Sequence, residues 1–197
     1  MEITKLASRL DQLLPHYDFR ECHHRVIDAS RDRVYDAVWT VTLGEMPLVP
    51  LLFDLRSLPA ILAGKGSLPR KQDKPLLRQM IASGFTLLAD DPGWEVVVGT
   101  VGQMWQPGGG RASIHNANEF LAFDQPGFVK VAMNFALAEQ EGATRLVTET
   151  RILGTDRRAR RKFALYWLFI RLGSRAIRRS WLRAIARLAE RVISQRA

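Results

Sequence analysis

The feature that most constrains the fold is an amphipathic helical pattern over residues 156–195. Apolar and aromatic side chains recur there at steps of three and four residues, which places them along one stripe of a helix. The stripe consists of Phe163, Tyr166, Ile170, Ser174, Ile177, Trp181, Ile185, Leu188 and Val192. Thr155 or Asp156 is expected to cap the helix through its side-chain oxygen. A stripe this apolar needs a broad apolar surface to lie on, and the preceding segments read as strands that would supply one.

The middle of the chain predicts an antiparallel meander. Five β-prone segments are separated by turn sequences rich in Asp, Pro and Gly, which favour tight reversals. These segments are residues 85–89, 94–105, 111–123, 128–139 and 144–154. Because strands joined by tight turns pair antiparallel, the segments would form one sheet. The pattern therefore predicts an α+β fold in which a curved antiparallel sheet wraps around the long terminal helix.

The segment before the meander predicts one more strand and two short helices. Residues 19–28 read as a strand, and Ser30 is a good N-cap for the helix that follows. Residues 46–62 are expected to form a second, largely buried helix, and residues 63–75 a polar, mobile loop. Residues 1–16 read as a helical extension, so that a single domain would span residues 17–195.

Composition limits the class of protein. The chain has 197 residues, 47% of them hydrophobic, which is enough for one domain with a proper core. No apolar run is long enough to span a bilayer, and the N-terminus lacks the pattern of a signal peptide. The single cysteine, Cys22, cannot form an internal disulfide. We therefore expect a cytoplasmic protein, or at most one held to the inner face of a membrane.

Positive charge is concentrated in the terminal helix. The net charge of the chain is +9, but residues 157–196 contain 13 Lys and Arg and one acid, so the rest of the chain has a net charge of −3. The residues expected on the face away from the apolar stripe are Arg175, Arg179, Arg183, Arg187 and Arg191. Such a face suits an anionic membrane surface, although a solvated helix face is the commoner reason for a run of like charges. Nucleic acid is not expected as a partner, because no aromatic residues alternate with the arginines.

Three local sequences resemble those of a known superfamily. They are residues 24–30 running into 33–38, residues 92–99, and residues 148–152. With the predicted order of elements, they resemble the START-like (SRPBCC) superfamily, which includes Bet v 1-type and polyketide cyclase/dehydrase-like proteins. The resemblance implies a helix-grip fold of six to seven strands, with two short helices between strands 1 and 2. It also implies a hydrophobic cavity between the sheet and the terminal helix.

The expected function is therefore binding of a small apolar ligand such as a lipid or polyketide. The residues expected to line the cavity are Trp39, Phe53, Trp105, Phe120, Asn134, Glu149, Arg151 and Trp167. Aromatic residues are also common in plain cores, and Glu149 and Arg151 would equally form an ion pair on the outer face.

Two alternatives to ligand binding stay open. One is a cyclase or hydrolase that uses Glu149, Glu95 or His115 as an acid or base, and the other is the membrane contact. No catalytic residue is assigned, and no cofactor is expected. Cys22 and His24 would point to one side of a strand, but their spacing matches no zinc site, so no metal is expected either.

Overall fold

The computed structural model describes residues 8–46, 73–106 and 110–191 of this chain. The fold is α+β, as predicted, with one antiparallel sheet and a long C-terminal helix packed against it. The helices are α1 (Arg9–Leu13), α2 (Arg31–Thr40), α3 (Leu76–Ala82), α4 (Ala117–Ala122) and α5 (Arg157–Arg191), with a 3-10 turn at Leu43–Glu45. The strands are β1 (Phe19–Ile27), β2 (Thr86–Asp91), β3 (Glu95–Gly102), β4 (Val129–Gln140) and β5 (Ala143–Gly154).

The sheet has five strands in the order β1-β5-β4-β3-β2, so β1 and β2 form its edges. β4 and β5 form a hairpin in which Val129 pairs with Gly154 and Glu139 pairs with Thr144. β1 lies beside β5, where Phe19 pairs with Ile152. The six to seven strands that were expected are not confirmed in the part of the chain that the structure describes.

The missing strand is the one predicted for residues 111–123, where the structure has α4 instead. Asn116 is the N-cap, and its Oδ1 accepts a hydrogen bond from the Glu119 amide at 2.9 Å. The Glu119 carboxylate in turn accepts one from the His115 amide at 2.9 Å. An N-cap side chain with a glutamate three residues later is a helix start signal that outweighs the β propensity of this segment.

Helix α3 was not predicted. It begins directly after the loop that was predicted over residues 63–75. Of the helix predicted over residues 46–62 only Met46 is described, and the loop predicted over residues 63–75 is described only from residue 73 onwards. Both predictions therefore lie almost entirely outside the described residues.

Both faces of the sheet are covered. Side chains alternate along β4, so that Met133, Phe135 and Leu137 point to one face and Ala132 and Asn134 to the other. The first face packs against α2, α3 and the C-terminal half of α5. The second face packs against α1 and α4. Because of this double cover, every residue of β3 is buried.

Helix α5 confirms the periodicity read from the sequence. Asp156 caps it, since its Oδ1 accepts hydrogen bonds from the amides of Arg158 at 2.6 Å and Ala159 at 2.8 Å. Phe163 and Trp181 are each 2% exposed and attach the two ends of the helix to the sheet. Phe163 packs against Phe19 with ring centroids 5.2 Å apart. Trp181 packs edge-on against Phe135 at 4.9 Å.

Candidate functional site: the outer face of the long helix

The residues expected to line one cavity lie in three separate places. Trp105 and Trp167 belong to a small aromatic cluster at the N-terminal end of α5, where Trp167 stacks on Phe163 at 5.9 Å. Trp39 lies on α2 and packs against the main core. Phe120 lies on α4, fully buried, on the opposite side of the sheet. Phe53 lies outside the described residues.

Asn134, Glu149 and Arg151 lie together, but not beneath α5. Glu149 Oε1 accepts a hydrogen bond from Arg151 Nε at 2.6 Å, and Arg20 donates to both Glu149 oxygens at 2.8 Å. Asn134 Oδ1 accepts one from the Glu149 amide at 2.8 Å. Burial alone would raise the pKa of the Glu149 carboxyl, but the hydrogen bonds from Arg20 and Arg151 lower it. The ion pair that the sequence allowed is confirmed.

This polar network fastens the N-terminal segment to the sheet. Arg151 donates to Asp11 Oδ1 at 2.6 Å and to the carbonyl of Leu14 at 3.0 Å. Glu95 accepts hydrogen bonds from the Ser8 hydroxyl at 2.6 Å and the Arg9 amide at 2.7 Å. Asn134, Glu149 and Arg151 therefore lie on the face of the sheet opposite α5, and their predicted role in ligand binding stays a prediction. Each of the three residues alternates along its strand to the face that α1 covers.

Side chains occupy the space between the sheet and the C-terminal half of α5. Met133, Phe135, Trp181 and Ile185 are at most 2% exposed and belong to one core cluster. Because residues 47–72 are not described, the apolar ligand predicted for this region stays a prediction. The enzymatic alternative also stays a prediction. Of its candidate residues, Glu95 belongs to the polar network described above, and His115 hydrogen-bonds Ser113 at 3.0 Å on an exposed loop.

The outer face of α5 bears an apolar patch that the sequence analysis missed. Four large side chains point away from the sheet, with exposed fractions from 62% to 81%. They are Leu165, Leu168, Phe169 and Leu172, and they are called the apolar patch below. At about 100° per residue, this group lies opposite the buried Phe163 and Trp181. Their spacing of i, i+3, i+4 and i+7 is itself the signature of a second apolar stripe.

Arginines border the apolar patch along the helix axis. Arg158 and Arg161 precede it, and Arg179 and Arg183 follow it, and all four are exposed. Within the described ranges, Arg161, Arg179 and Arg183 form no salt bridge. Along about seven turns of α5, the outer face is therefore cationic, then apolar, then cationic again.

The predicted set of five arginines is exposed, with different surroundings. Arg175, Arg179, Arg183, Arg187 and Arg191 all lie on the accessible side of α5. Arg175 Nε approaches Glu21 Oε1 at 4.0 Å, and Arg187 donates to the carbonyl of Glu45 at 2.6 Å. Arg179 and Arg183, with Arg191 at the end of the helix, are therefore the members best placed to meet an external anion.

Two further features concern metal binding and membrane crossing. Within residues 8–46, 73–106 and 110–191, no three His, Cys, Asp or Glu side chains are grouped so that they could hold a metal ion. None of the helices in these ranges has the length and apolar content needed to cross a membrane.

The fold and site define an α+β protein with an antiparallel sheet and an amphipathic terminal helix. No protein-family model and no curated protein matches this chain. The likeness to the START-like superfamily therefore remains a resemblance in sequence pattern.

Proposed function

We propose that this protein is a peripheral membrane-binding protein whose helix α5 lies flat on an anionic bilayer. The observation that supports the proposal is the apolar patch, whose central Phe169 is 81% exposed between clusters of unpaired arginines. A helix with a basic border and an apolar centre settles at the depth where headgroups meet acyl chains. The proposal takes up the membrane contact that the charge pattern suggested.

The apolar patch and the arginines that flank it would contribute to membrane binding in different ways. The patch would enter the apolar zone, where removal of large side chains from water is worth about 1.5–3 kcal/mol each when complete. The flanking arginines would remain at headgroup level, since their long aliphatic stems let the guanidinium reach polar surroundings. Each adds about 1 kcal/mol near an anionic leaflet. Together these contributions are large enough for reversible binding.

Packing against the sheet keeps α5 helical before the protein meets a membrane. Phe163 and Trp181 hold its inner face on the sheet at two points about five turns apart. The helix is therefore formed before binding, unlike a peptide that must fold on the surface. A preformed helix loses less conformational entropy on binding, which favours affinity.

Charge argues against a second copy of the chain as the occupant of this face. Residues 157–191 contain one acid, Glu190. Two copies that joined through the apolar patch would bring their flanking arginines together with few carboxylates to neutralise them. An anionic bilayer removes that repulsion, whereas self-association increases it.

Co-sedimentation with vesicles tests the proposal. Wild-type protein should bind phosphatidylcholine vesicles with about 30 mol% phosphatidylserine, and bind pure phosphatidylcholine much less. The double variant Leu168→Ser, Phe169→Ser should lose most of this binding. Leu121→Ser is the matched control, because Leu121 is 47% exposed on α4 at the other side of the sheet.

Two triple variants test whether the arginines on α5, and not the net charge of the protein, are needed for binding. Arg161, Arg179 and Arg183 changed together to Gln should greatly weaken binding. Lys74, Arg78 and Arg145 changed to Gln remove the same charge from exposed positions outside α5 and should have little effect. Equal losses from both triple variants would contradict the proposal. So would a dimer in solution that Phe169→Ser dissociates, in a protein that ignores vesicles.

A further inference from the structure

A pocket of about 340 Å³ opens where the outer edge of β1 meets α5. Arg25 and His23 contribute from β1, and Arg179, Leu182 and Arg183 contribute from α5. The volume falls in the range of about 300–1,000 Å³ that small-molecule sites occupy. Since β1 is an edge strand, this side of it has no strand partner within the described sheet. The place is therefore accessible from solvent and large enough for a ligand.

The charge of the pocket is uncompensated by the residues that the structure describes. Arg25, Arg179 and Arg183 form no salt bridge there. Arg179 and Arg183 are four residues apart and thus neighbours on the helix, where like charges destabilise each other. The acid on the same strand face is Glu21, which lies beside the pocket and already contacts two neighbouring side chains. Its Oε1 contacts His23 Nε2 at 2.7 Å and Arg175 Nε at 4.0 Å.

We propose that this pocket binds a phosphomonoester group, supplied either by a lipid headgroup or by a soluble phosphate ester. Three arginines from two elements line the pocket, and guanidinium forks match the oxygens of phosphate in paired hydrogen bonds. A dianion would relieve the repulsion between the arginines better than a single carboxylate. Leu182 also lines the pocket, but it is 3% exposed, so the arginines supply most of the contact surface.

The lipid form of this inference rests on the proposed membrane contact, and the soluble form does not. Arg179 and Arg183 belong both to the pocket and to the border of the apolar patch. A headgroup held in the pocket would thus have its acyl chains beside the bilayer surface that α5 contacts. Arg25, by contrast, lies on β1 and outside the membrane-binding helix. It therefore separates pocket binding from surface binding.

Calorimetric titration with glycerol 3-phosphate tests the site without a membrane. Arg25→Gln should weaken binding by about tenfold or more, the usual effect of one lost charge-assisted hydrogen bond. Arg183→Gln should do the same from the other element, so that one misfolded variant does not decide the result. Arg145→Gln is the control, because Arg145 is an exposed residue of β5 outside the pocket, and binding should stay within about twofold.

Vesicles distinguish the two sources of phosphate. Wild-type protein is compared on vesicles of phosphatidylcholine with phosphatidic acid and on vesicles with phosphatidylserine at matched surface charge. A preference for phosphatidic acid that Arg25→Gln abolishes assigns the site to a lipid headgroup. Binding of glycerol 3-phosphate that depends on Arg25, without such a preference, assigns it to a soluble ester.

The failure of this inference differs from the failure of the proposed function. If Arg25→Gln changes glycerol 3-phosphate binding and phosphatidic acid preference no more than the control Arg145→Gln does, the pocket is not a phosphate site. Leu168→Ser with Phe169→Ser should lose most of the binding to both vesicles yet leave glycerol 3-phosphate binding intact. A protein that binds the soluble ester through Arg25 but no vesicle would contradict the membrane proposal alone.

Discussion

Arg151 donates a hydrogen bond from Nε to Glu149 Oε1 at 2.6 Å, on the side of the sheet opposite α5. Their side chains are 9% and 10% exposed, so the pair is nearly out of contact with water. Arg20 from the neighbouring strand and Asp11 from the N-terminal segment complete the pair. The network joins three parts of the chain that are far apart in sequence, which gives it a structural role.

The first prediction concerns the pH dependence of that network. Glu149→Gln should lower the free energy of unfolding by about 3 kcal/mol near neutral pH, because it leaves the buried Arg151 with less compensating charge. The folded-state pKa of Glu149 is below the ordinary value of 4.5, so its charge stabilises the fold above that value. The stabilisation is lost as pH falls through the lowered pKa. Urea unfolding of both proteins at several pH values measures the effect.

The control for this prediction is Glu139→Gln. Glu139 is 74% exposed and approaches Arg31 at 3.8 Å, so the change should alter stability by less than about 1 kcal/mol at every pH. A wild-type advantage over Glu149→Gln that persists unchanged at low pH would show that shape, and not charge, is what Glu149 contributes.

Helix α5 and the hairpin of β4 and β5 were predictable because their patterns have one simple cause. The apolar stripe of α5 and the cap at Asp156 both follow from local chemistry. The alternation along β4 likewise predicts a strand. The alternation cannot tell which face meets α5, however, because helices cover both faces. Asn134 and Glu149 were therefore assigned to the wrong side.

Long-range contacts explain the other differences. The segment at Asn116 begins with a capping pair, although its other residues also fit a strand, and packing of Phe120 into the core beneath α4 adds to the local helix signal. The apolar patch was missed for a different reason. Residues 163–172 are apolar nearly all round the helix, so the stripe that faces the sheet concealed the one that does not. A helical projection of that segment would have revealed both.

The second prediction tests which side of α5 is buried in solution. Trp181→Ala should cost about 3–5 kcal/mol in free energy of unfolding, since it removes a 2% exposed ring packed on Phe135. Leu165→Ala should change stability by no more than about 0.5 kcal/mol, because Leu165 is 67% exposed. Chemical denaturation measures both. Comparable losses would mean that another molecule covers the apolar patch in solution.

The third prediction compares two glycines. A Cβ at Gly99 would lie 2.4 Å from Leu88 Cδ1 and 3.0 Å from the carbonyl oxygen of Val131, so Gly99→Ala should destabilise the fold by about 1–3 kcal/mol. A Cβ at Gly173 would meet nothing within 4 Å beyond its own helix. Gly173→Ala should therefore stabilise α5 by up to about 1 kcal/mol. Thermal unfolding of the two variants gives the signs, and a loss of stability in Gly173→Ala would indicate a contact at the middle of the helix.

The last prediction separates the two contributions to membrane binding by their response to salt. Attraction between arginines and anionic lipid is screened over about 10 Å at 0.1 M salt, whereas insertion of apolar side chains is not screened. Raising the salt to about 0.5 M should weaken wild-type binding several-fold without abolishing it. The variant with Arg161, Arg179 and Arg183 changed to Gln should bind more weakly than wild type and lose a smaller factor of its binding when the salt is raised. Leu168→Ser with Phe169→Ser should retain only a contact that high salt removes. If the wild-type protein itself were released completely by salt, the exposed leucines and Phe169 would contribute nothing to the bilayer contact, and their exposure would need another explanation.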